Sequence, residues 1–167
     1  MAPRPAILFL DTNILLDLPR PEQYRITGRQ VTLVVIPEVM RELRGLARSP
    51  GRGQAGAAMQ ALASLERLAM RRGSATGAPV GPSGPSIRIA SGLAENTARA
   101  DIQLVERARA EQSKQPGALV AVVTRDCGVA DLARSNRVKS ILIRGTATSM
   151  QLERGIATHD TVLDIEL

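Results

Sequence analysis

The chain has 167 residues with a single cysteine and two aromatic residues, and its 22 basic and 16 acidic side chains give a net charge of +6. This length suits one domain, 1–167, which can bury roughly two thirds of its unfolded surface. The cysteine count excludes an internal disulfide, and neither a membrane-spanning run nor a signal peptide is evident, so we expect a soluble, cytoplasmic protein.

Alternating strands and helices are predicted along the chain. Unbroken apolar runs, typical of parallel strands buried on both faces, cover 6–11, 31–36 and 118–124. Helices are predicted from Thr12 or Asn13 to Leu18, from Pro37 to a break at 49–51, over 54–72, from Asn96 or Thr97 to Lys114, and over 127–135. A short strand or an extended segment is expected at 87–89 and another strand at 140–143, with a possible edge strand at 162–167. This order predicts a three-layer α/β/α sandwich with a mainly parallel central sheet.

One segment interrupts this alternation. Residues 73–86 are rich in Gly, Pro, Ser and Ala and carry no charge. Neither flank closes a core by itself, so we predict a flexible loop within one domain. An inert insertion is favoured over a clamp that holds a substrate.

The positive charge is concentrated in the first half of the chain. Between Arg20 and Arg72, ten arginines accompany four glutamates, and this surplus of six equals the net charge of the whole chain. A basic lobe favours contact with phosphates. A general enrichment of the chain in arginine would explain the number of arginines about as well as phosphate binding does. It would explain their concentration in the first half less well. Because aromatic residues are nearly absent, stacking of bases on aromatic rings cannot be the main means of holding a single-stranded nucleic acid.

Acidic residues follow the ends of the predicted buried strands. Asp11 ends the first strand, Glu38 and Glu42 follow the second, and Asp126 follows the third. Ligand crevices of parallel sheets lie at the carboxyl ends of the strands. These carboxylates are therefore expected to meet, and a cation would relieve their repulsion.

Asp101 is predicted to join them from a helix. The apolar face of that helix is assigned to Ile102, Val105 and Ala108, and Asp101 projects within the same arc. A solvated surface aspartate is not expected there.

Three of these acids also have an ordinary structural interpretation. Asp11 and Asp126 can be helix caps, and for Glu38 a first-turn glutamate favoured by the helix dipole is the better interpretation. Other polar residues are expected to be structural: Asp131 a surface residue, Cys127 a buried small residue, and His159 a solvated residue in a C-terminal loop.

The ordered set of segments resembles the PIN-domain nucleases. The matching stretches are Phe9–Leu16, Val35–Leu43, Ala100–Ile102 and Val123–Asp126, and their order and separations match over roughly residues 6 to 143. PIN domains that stand alone or are fused to PhoH-type ATPases are the most similar. VapC-type toxin ribonucleases share the same four acids.

The resemblance implies an Mg²⁺- or Mn²⁺-dependent endoribonuclease whose catalytic and metal-binding residues are Asp11, Glu42, Asp101 and Asp126. It also implies that Asn13 and Thr124 are polar supports. One departure concerns Gly128, which stands where many relatives carry a further acid. A fifth ligand is therefore in doubt.

The expected chemistry follows from this set. Oxygen ligands suit Mg²⁺ or Mn²⁺ rather than zinc. One or two ions would activate a water and stabilise the departing 3′-oxygen, which leaves 5′-phosphate and 3′-hydroxyl ends. We expect Asp11 to bridge the metals, Asp101 and Asp126 to complete the shell, and Glu42 to ligate or to orient the water. An arginine salt bridge to Asp101 or Asp126 would overturn this hypothesis.

The expected partner is RNA. On the helix that starts at Pro37, three arginines lie nearly opposite the apolar stripe and a fourth follows, and we predict that these contact nucleic acid: Arg41, Arg44, Arg48 and Arg52. Alternatives are a toxin with an antitoxin partner and a non-catalytic nucleic-acid-binding module. A dehalogenase-like phosphatase would need an aspartate at Asn13. The sequence leaves open whether the chain forms a homodimer.

Overall fold

A computed structural model describes residues 3–24, 26, 28–71, 78–79, 85–90 and 99–163. Six strands form within these ranges: β1 (Ala6–Leu10), β2 (Val31–Val35), β3 (Ala78–Pro79), β4 (Ser86–Ile89), β5 (Leu119–Thr124) and β6 (Lys139–Leu142). They alternate with six α-helices: α1 (Thr12–Asp17), α2 (Pro37–Ala47), α3 (Ala55–Arg71), α4 (Ala100–Lys114), α5 (Cys127–Ser135) and α6 (Ser149–Leu163). None of these helices combines the length and apolar content needed to cross a lipid bilayer.

The strands form one sheet in the order β3-β4-β2-β1-β5-β6. All neighbouring pairs are parallel except β3 with β4 at the edge. Every residue of β1 and β5 is buried, which requires cover on both faces of the sheet. The predicted three-layer α/β/α sandwich with a mainly parallel sheet is confirmed.

The register brings the carboxyl ends of β1 and β5 side by side. Leu10 pairs with Val123, and the Asp11 amide donates to the Val123 carbonyl at 3.0 Å. Asp11 therefore lies next to Thr124, the last residue of β5. On the other side of β1, β2 ends at Val35, and α2 begins two residues later at Pro37. These connections place the starts of α1, α2 and α5 around one edge of the sheet.

The C-terminal part of the chain differs from the prediction. Residues 162–163 belong to α6, so the strand predicted at 162–167 is wrong for them, and 164–167 lie outside the described residues. His159 lies in the same helix rather than in a loop, and its ring Nε2 is 2.9 Å from the Ser140 carbonyl oxygen. The signal for α6 was present in the sequence, because the buried Leu152 and Ile156 are four residues apart.

Two other predictions are partly outside the described residues. Of the loop predicted at 73–86, residues 73–77 and 80–84 are not described, while Ala78–Pro79 form β3 and Ser86 already belongs to β4. The helix predicted to start at Asn96 or Thr97 begins at Ala100, and 91–98 are not described.

The apolar face of α4 also differs from its assignment. Val105 and Ala108 are buried as expected, but Ile102 is 39% exposed and Leu104 takes its place in the core. Asp101 borders this face, and its side chain is 23% exposed. It is therefore half-buried rather than solvated.

Gly155 allows α6 to pack closely on β6. A Cβ atom at this position would lie 3.2 Å from Cγ1 of Ile141 and closer still to Cγ2 of the same buried side chain. We expect Gly155→Ala to lower the free energy of unfolding by about 1–3 kcal/mol, because the β-branched Ile141 cannot move aside easily. Gly45→Ala in α2 is the matched control, since nothing lies within 4 Å of its Cβ position. Urea unfolding would contradict the clash if the two variants were equally stable.

Candidate active site

Asp11 is held by three hydrogen-bond donors at the end of β1. Its Oδ1 accepts from the Thr12 amide at 2.8 Å, which makes Asp11 the N-cap of α1. Its Oδ2 accepts from the Thr124 hydroxyl at 2.6 Å and from Nδ2 of Asn13 at 3.3 Å. The residue is only 8% exposed. Asp11 therefore caps α1 through Oδ1, as the ordinary interpretation expected. Its Oδ2 is held by the side chains of Asn13 and Thr124, which come from two separate segments.

Thr124 and Asn13 also connect Asp11 to the loop that carries Asp126. The fully buried Thr124 hydroxyl accepts from the Asp126 amide at 3.0 Å while it donates to Asp11. Oδ1 of Asn13 accepts from the Arg125 amide at 3.1 Å. Asp126 caps α5, with its Oδ1 accepting from the Gly128 amide at 2.7 Å. The two strand ends are thus joined by side-chain hydrogen bonds.

Glu42 and Asp101 approach the same place from α2 and α4. The Glu42 carboxylate accepts a hydrogen bond from the Thr12 hydroxyl. Oδ1 of Asp101 accepts from the Ile102 amide at 2.9 Å, and its Oδ2 lies 2.8 Å from a guanidinium nitrogen of Arg99. Both carboxylates therefore already have polar partners.

These side chains line one open cavity of about 420 Å³ at the carboxyl edge of the sheet. The four acids predicted from the sequence are all among its lining residues, together with Asn13 and two arginines: Asp11, Glu42, Asp101, Asp126, Asn13, Arg41 and Arg99. The structure therefore brings together carboxylates that are up to 115 residues apart in the chain.

The pKa of Asp11 is raised above its ordinary value of 3.8, chiefly by burial. The hydrogen bonds from Thr124 and the Thr12 amide lower it, while the charges of Asp126 and Asp101 raise it further. The carboxylates of Asp126 and Asp101 therefore each disfavour a charge on Asp11. A bound cation would relieve this repulsion.

The fit to a metal ion is incomplete in this arrangement. Within the described ranges, no three Asp, Glu, His or Cys side chains are grouped closely enough to hold a metal ion. The Arg99–Asp101 salt bridge is the contact that the sequence hypothesis excluded, so it counts against Asp101 as a ligand where it lies. The donor chemistry nevertheless fits a hard divalent cation, because the acids in the cavity offer only oxygen atoms.

The arginines predicted to bind nucleic acid divide into two groups. Arg41 is half-buried and lines the cavity, whereas Arg44 on α2 and Arg48 at its C-cap are exposed and lie outside this lining. The side chain of Arg52 lies outside the described part of the chain. Arg99 was not among the predicted residues, because its role depends on where α4 begins.

The remaining polar candidates lie elsewhere. Glu38 is fully buried, and its Oε1 is 3.7 Å from a guanidinium nitrogen of Arg107 on α4, so the structural interpretation fits it better than a metal-binding one. Asp131 is a surface residue as expected, paired with Arg134 at 3.1 Å. Cys127 was expected to be buried and is exposed, because it occupies the first position of α5 beside the cavity rim.

Thr124→Val tests how the Asp11 carboxylate is held. Valine keeps the shape but removes the hydroxyl that lowers the pKa of Asp11, so we expect this pKa to rise further in the variant. Loss of the buried hydrogen bond should also cost about 1–3 kcal/mol of stability. NMR titration of the Asp11 carboxyl carbon in EDTA measures the shift, and Thr124→Ser is the control. An identical titration in valine and wild-type proteins would show that the hydroxyl does not tune Asp11.

Comparison with known proteins shows the fold and nothing finer. No protein-family profile matches the chain, and no curated protein matches it. Among solved structures, one similar chain is described as a domain of a functionally unknown protein from Methanocaldococcus jannaschii DSM 2661. It has a TM-score of 0.54 and 11% sequence identity over 85% of this chain and 94% of that one. The resemblance to PIN-domain nucleases therefore stays a prediction.

Proposed function

We propose that this chain is a divalent-metal-dependent endoribonuclease that hydrolyses RNA phosphodiester bonds. The observation that carries the proposal is the convergence of Asp11, Glu42, Asp101 and Asp126 on one cavity at the carboxyl edge of a parallel sheet. The expected meeting of strand ends and the resemblance to PIN-domain nucleases had both pointed to these residues in the sequence. The excess of arginine in the first half of the chain supports an anionic polymer as the substrate.

In this proposal the cavity residues have different roles. Asp11, Asp101 and Asp126 would hold Mg²⁺ or Mn²⁺, which when bound supplies an activated water and charge stabilisation for the departing 3′-oxygen. Thr124 and the Thr12 amide hold the Asp11 carboxylate in place by hydrogen bonds. Glu42, which accepts from Thr12 at the cavity wall, would orient the attacking water or join the ligands.

The Arg99–Asp101 salt bridge counts against this proposal, which we retain because one partner of the pair is exposed. The Arg99 side chain is 77% exposed and the Asp101 side chain is 23% exposed, and ion pairs open to solvent contribute only about 0.2–1 kcal/mol. A divalent cation competing for the Asp101 carboxylate therefore has little to displace. The Asp101 side chain already lines the cavity in which the ion would bind.

A cleavage assay on mixed RNA tests the proposal. We expect fragments with 5′-phosphate ends in Mg²⁺ or Mn²⁺ and none in EDTA. Cleavage that persists in EDTA would overturn the metal-dependent mechanism, and the absence of cleavage with either ion would overturn the enzyme assignment.

The second candidate is a non-catalytic nucleic-acid-binding module. It is favoured by the salt bridge to Asp101 and by the lack of a closed metal-binding group in the described part of the chain. In this case RNA is bound but not cleaved, and Mn²⁺ changes neither its affinity nor the stability of the protein. A ribonuclease toxin paired with an antitoxin would share the proposed chemistry and differ in its regulation.

Substitution of the arginines on α2 tests the substrate path. Arg41→Ala and Arg44→Ala are each expected to weaken RNA binding and to reduce the slope of log K against log salt by roughly 0.7–0.9 for each phosphate that the variant no longer neutralises. Fluorescence anisotropy over a salt series, with Ca²⁺ in place of Mg²⁺ to limit cleavage, measures the slope. Arg134→Ala is the control, because this exposed arginine already pairs with Asp131. A slope that does not change would remove the substituted arginine from the path of the RNA.

A further inference from the structure

Arg99 has an unusual position for an arginine. It immediately precedes α4 as its N-cap residue, and its side chain lines the cavity that contains the four acids. A guanidinium nitrogen lies 2.8 Å from Oδ2 of Asp101, which is the carboxylate that α4 contributes to the site. The arginine thus contacts an oxygen that the proposed function assigns to a metal ion.

The charges in the cavity show why such a contact matters. Four carboxylates face two guanidinium groups, those of Arg41 and Arg99, so the lining has a formal excess of negative charge. A phosphate entering this space is repelled unless further positive charge is added or an existing cation is freed from its carboxylate. A divalent cation on Asp101 would do both, because it brings charge and displaces Arg99.

Arg99 is able to change partners. Its side chain is 77% exposed, so its release from the half-buried Asp101 does not leave the guanidinium group buried without a partner. The planar guanidinium group also binds phosphate with two parallel hydrogen bonds. Its position at the cavity wall keeps the freed group close to any phosphodiester held there.

We propose that Arg99 is a substrate-binding residue that exchanges Asp101 for a phosphate of the nucleic acid when a divalent cation occupies Asp101. The inference rests on the proposed function and assigns it a further residue. Arg99 consequently opposes metal binding in the absence of nucleic acid and supports nucleic-acid binding once the metal is present.

The test measures Mn²⁺ binding and RNA binding separately, without reference to cleavage. Isothermal titration with Mn²⁺ alone is expected to show tighter binding by Arg99→Ala than by wild type, by up to about fivefold, which corresponds to the upper value for an ion pair open to solvent. RNA affinity in Ca²⁺ is expected to fall in the same variant, and the salt slope is expected to fall by roughly 0.7–0.9, the value for one phosphate.

Two further variants serve as controls. Arg99→Lys keeps the charge, and its affinities for Mn²⁺ and for RNA should lie between those of wild type and Arg99→Ala. Arg109→Ala, an exposed arginine ten residues further along α4, is the control for removal of a positive charge.

The possible outcomes separate this inference from the function on which it rests. Equal Mn²⁺ affinities for wild type and Arg99→Ala, with Mn²⁺ binding that still requires Asp11, would overturn the exchange and leave the nuclease proposal standing. Tighter Mn²⁺ binding with unchanged RNA affinity would overturn the role in substrate binding. If wild type binds no Mn²⁺ at a site that depends on Asp11, both the exchange and the proposed function fail.

Discussion

Asp11→Asn is expected to reduce the rate of RNA cleavage by about 10³-fold or more while RNA binding stays equal or becomes tighter. The substitution removes a carboxylate from the centre of the proposed site. A metal ion held there would lower the activation barrier by several kcal/mol. The substitution also removes negative charge from the cavity that would admit a phosphate in the proposed function. Cleavage rates under saturating Mg²⁺, together with RNA affinity measured in Ca²⁺, give the two quantities independently.

The matched control for this experiment is Asp131→Asn. The chemical change is the same, but the Asp131 side chain is 68% exposed and pairs with Arg134 away from the cavity. Circular dichroism of both variants checks that the fold is retained. Wild-type cleavage by Asp11→Asn would refute the assignment of the site, whereas a loss of cleavage in both variants would point to an effect that is not specific to Asp11.

Much of the fold was predictable because buried parallel strands have a strong sequence signal. The apolar runs that became β1, β2 and β5 have no alternation, and their positions differ from the prediction by at most one residue. The acids that follow them were predictable for the same reason, since parallel strand ends lie at one edge of the sheet. Asp11 shows the limit of such reasoning, because it is at once a helix cap and a lining residue of the cavity.

The features that the sequence did not predict depend on tertiary contacts. Arg99 reaches Asp101 only because α4 starts at Ala100, which leaves the arginine in extended backbone at the cavity wall. Glu38 looked like an ordinary first-turn glutamate, yet the packing of α2 against α4 buries it beside Arg107. Helix α6 was missed although Leu152 and Ile156 have helical spacing, because two apolar positions are a weak signal and their burial depends on contact with β6. The spacing of apolar residues along the sequence does not predict such contacts.

The second major expectation concerns stability in the presence of a divalent ion. An ion that binds only the folded protein stabilises it by about 2.7 kcal/mol at a concentration of 100 Kd, which raises the Tm of a chain of this size by roughly 5–11 °C. We expect Mn²⁺ to produce such a shift in wild type and not in Asp11→Asn. Differential scanning calorimetry in Mn²⁺ and in EDTA measures it. Equal shifts in both proteins would place the ion outside the cavity.

The pH dependence of this stabilisation follows from the raised pKa of Asp11. In EDTA, the contribution of Asp11 to stability is fully present below its ordinary pKa of 3.8 and is lost as the pH rises through the higher pKa of the folded state, because burial and the neighbouring carboxylates disfavour its charge. Mn²⁺ would bind the charged form of the Asp11 carboxylate. The Mn²⁺-induced rise in Tm is therefore expected to become larger as the pH increases through the same window. Measured as a pair, the EDTA and Mn²⁺ profiles should therefore diverge as the pH rises. Parallel profiles would show that the ion does not interact with the Asp11 carboxylate, and the metal-dependent mechanism would then lose its central residue.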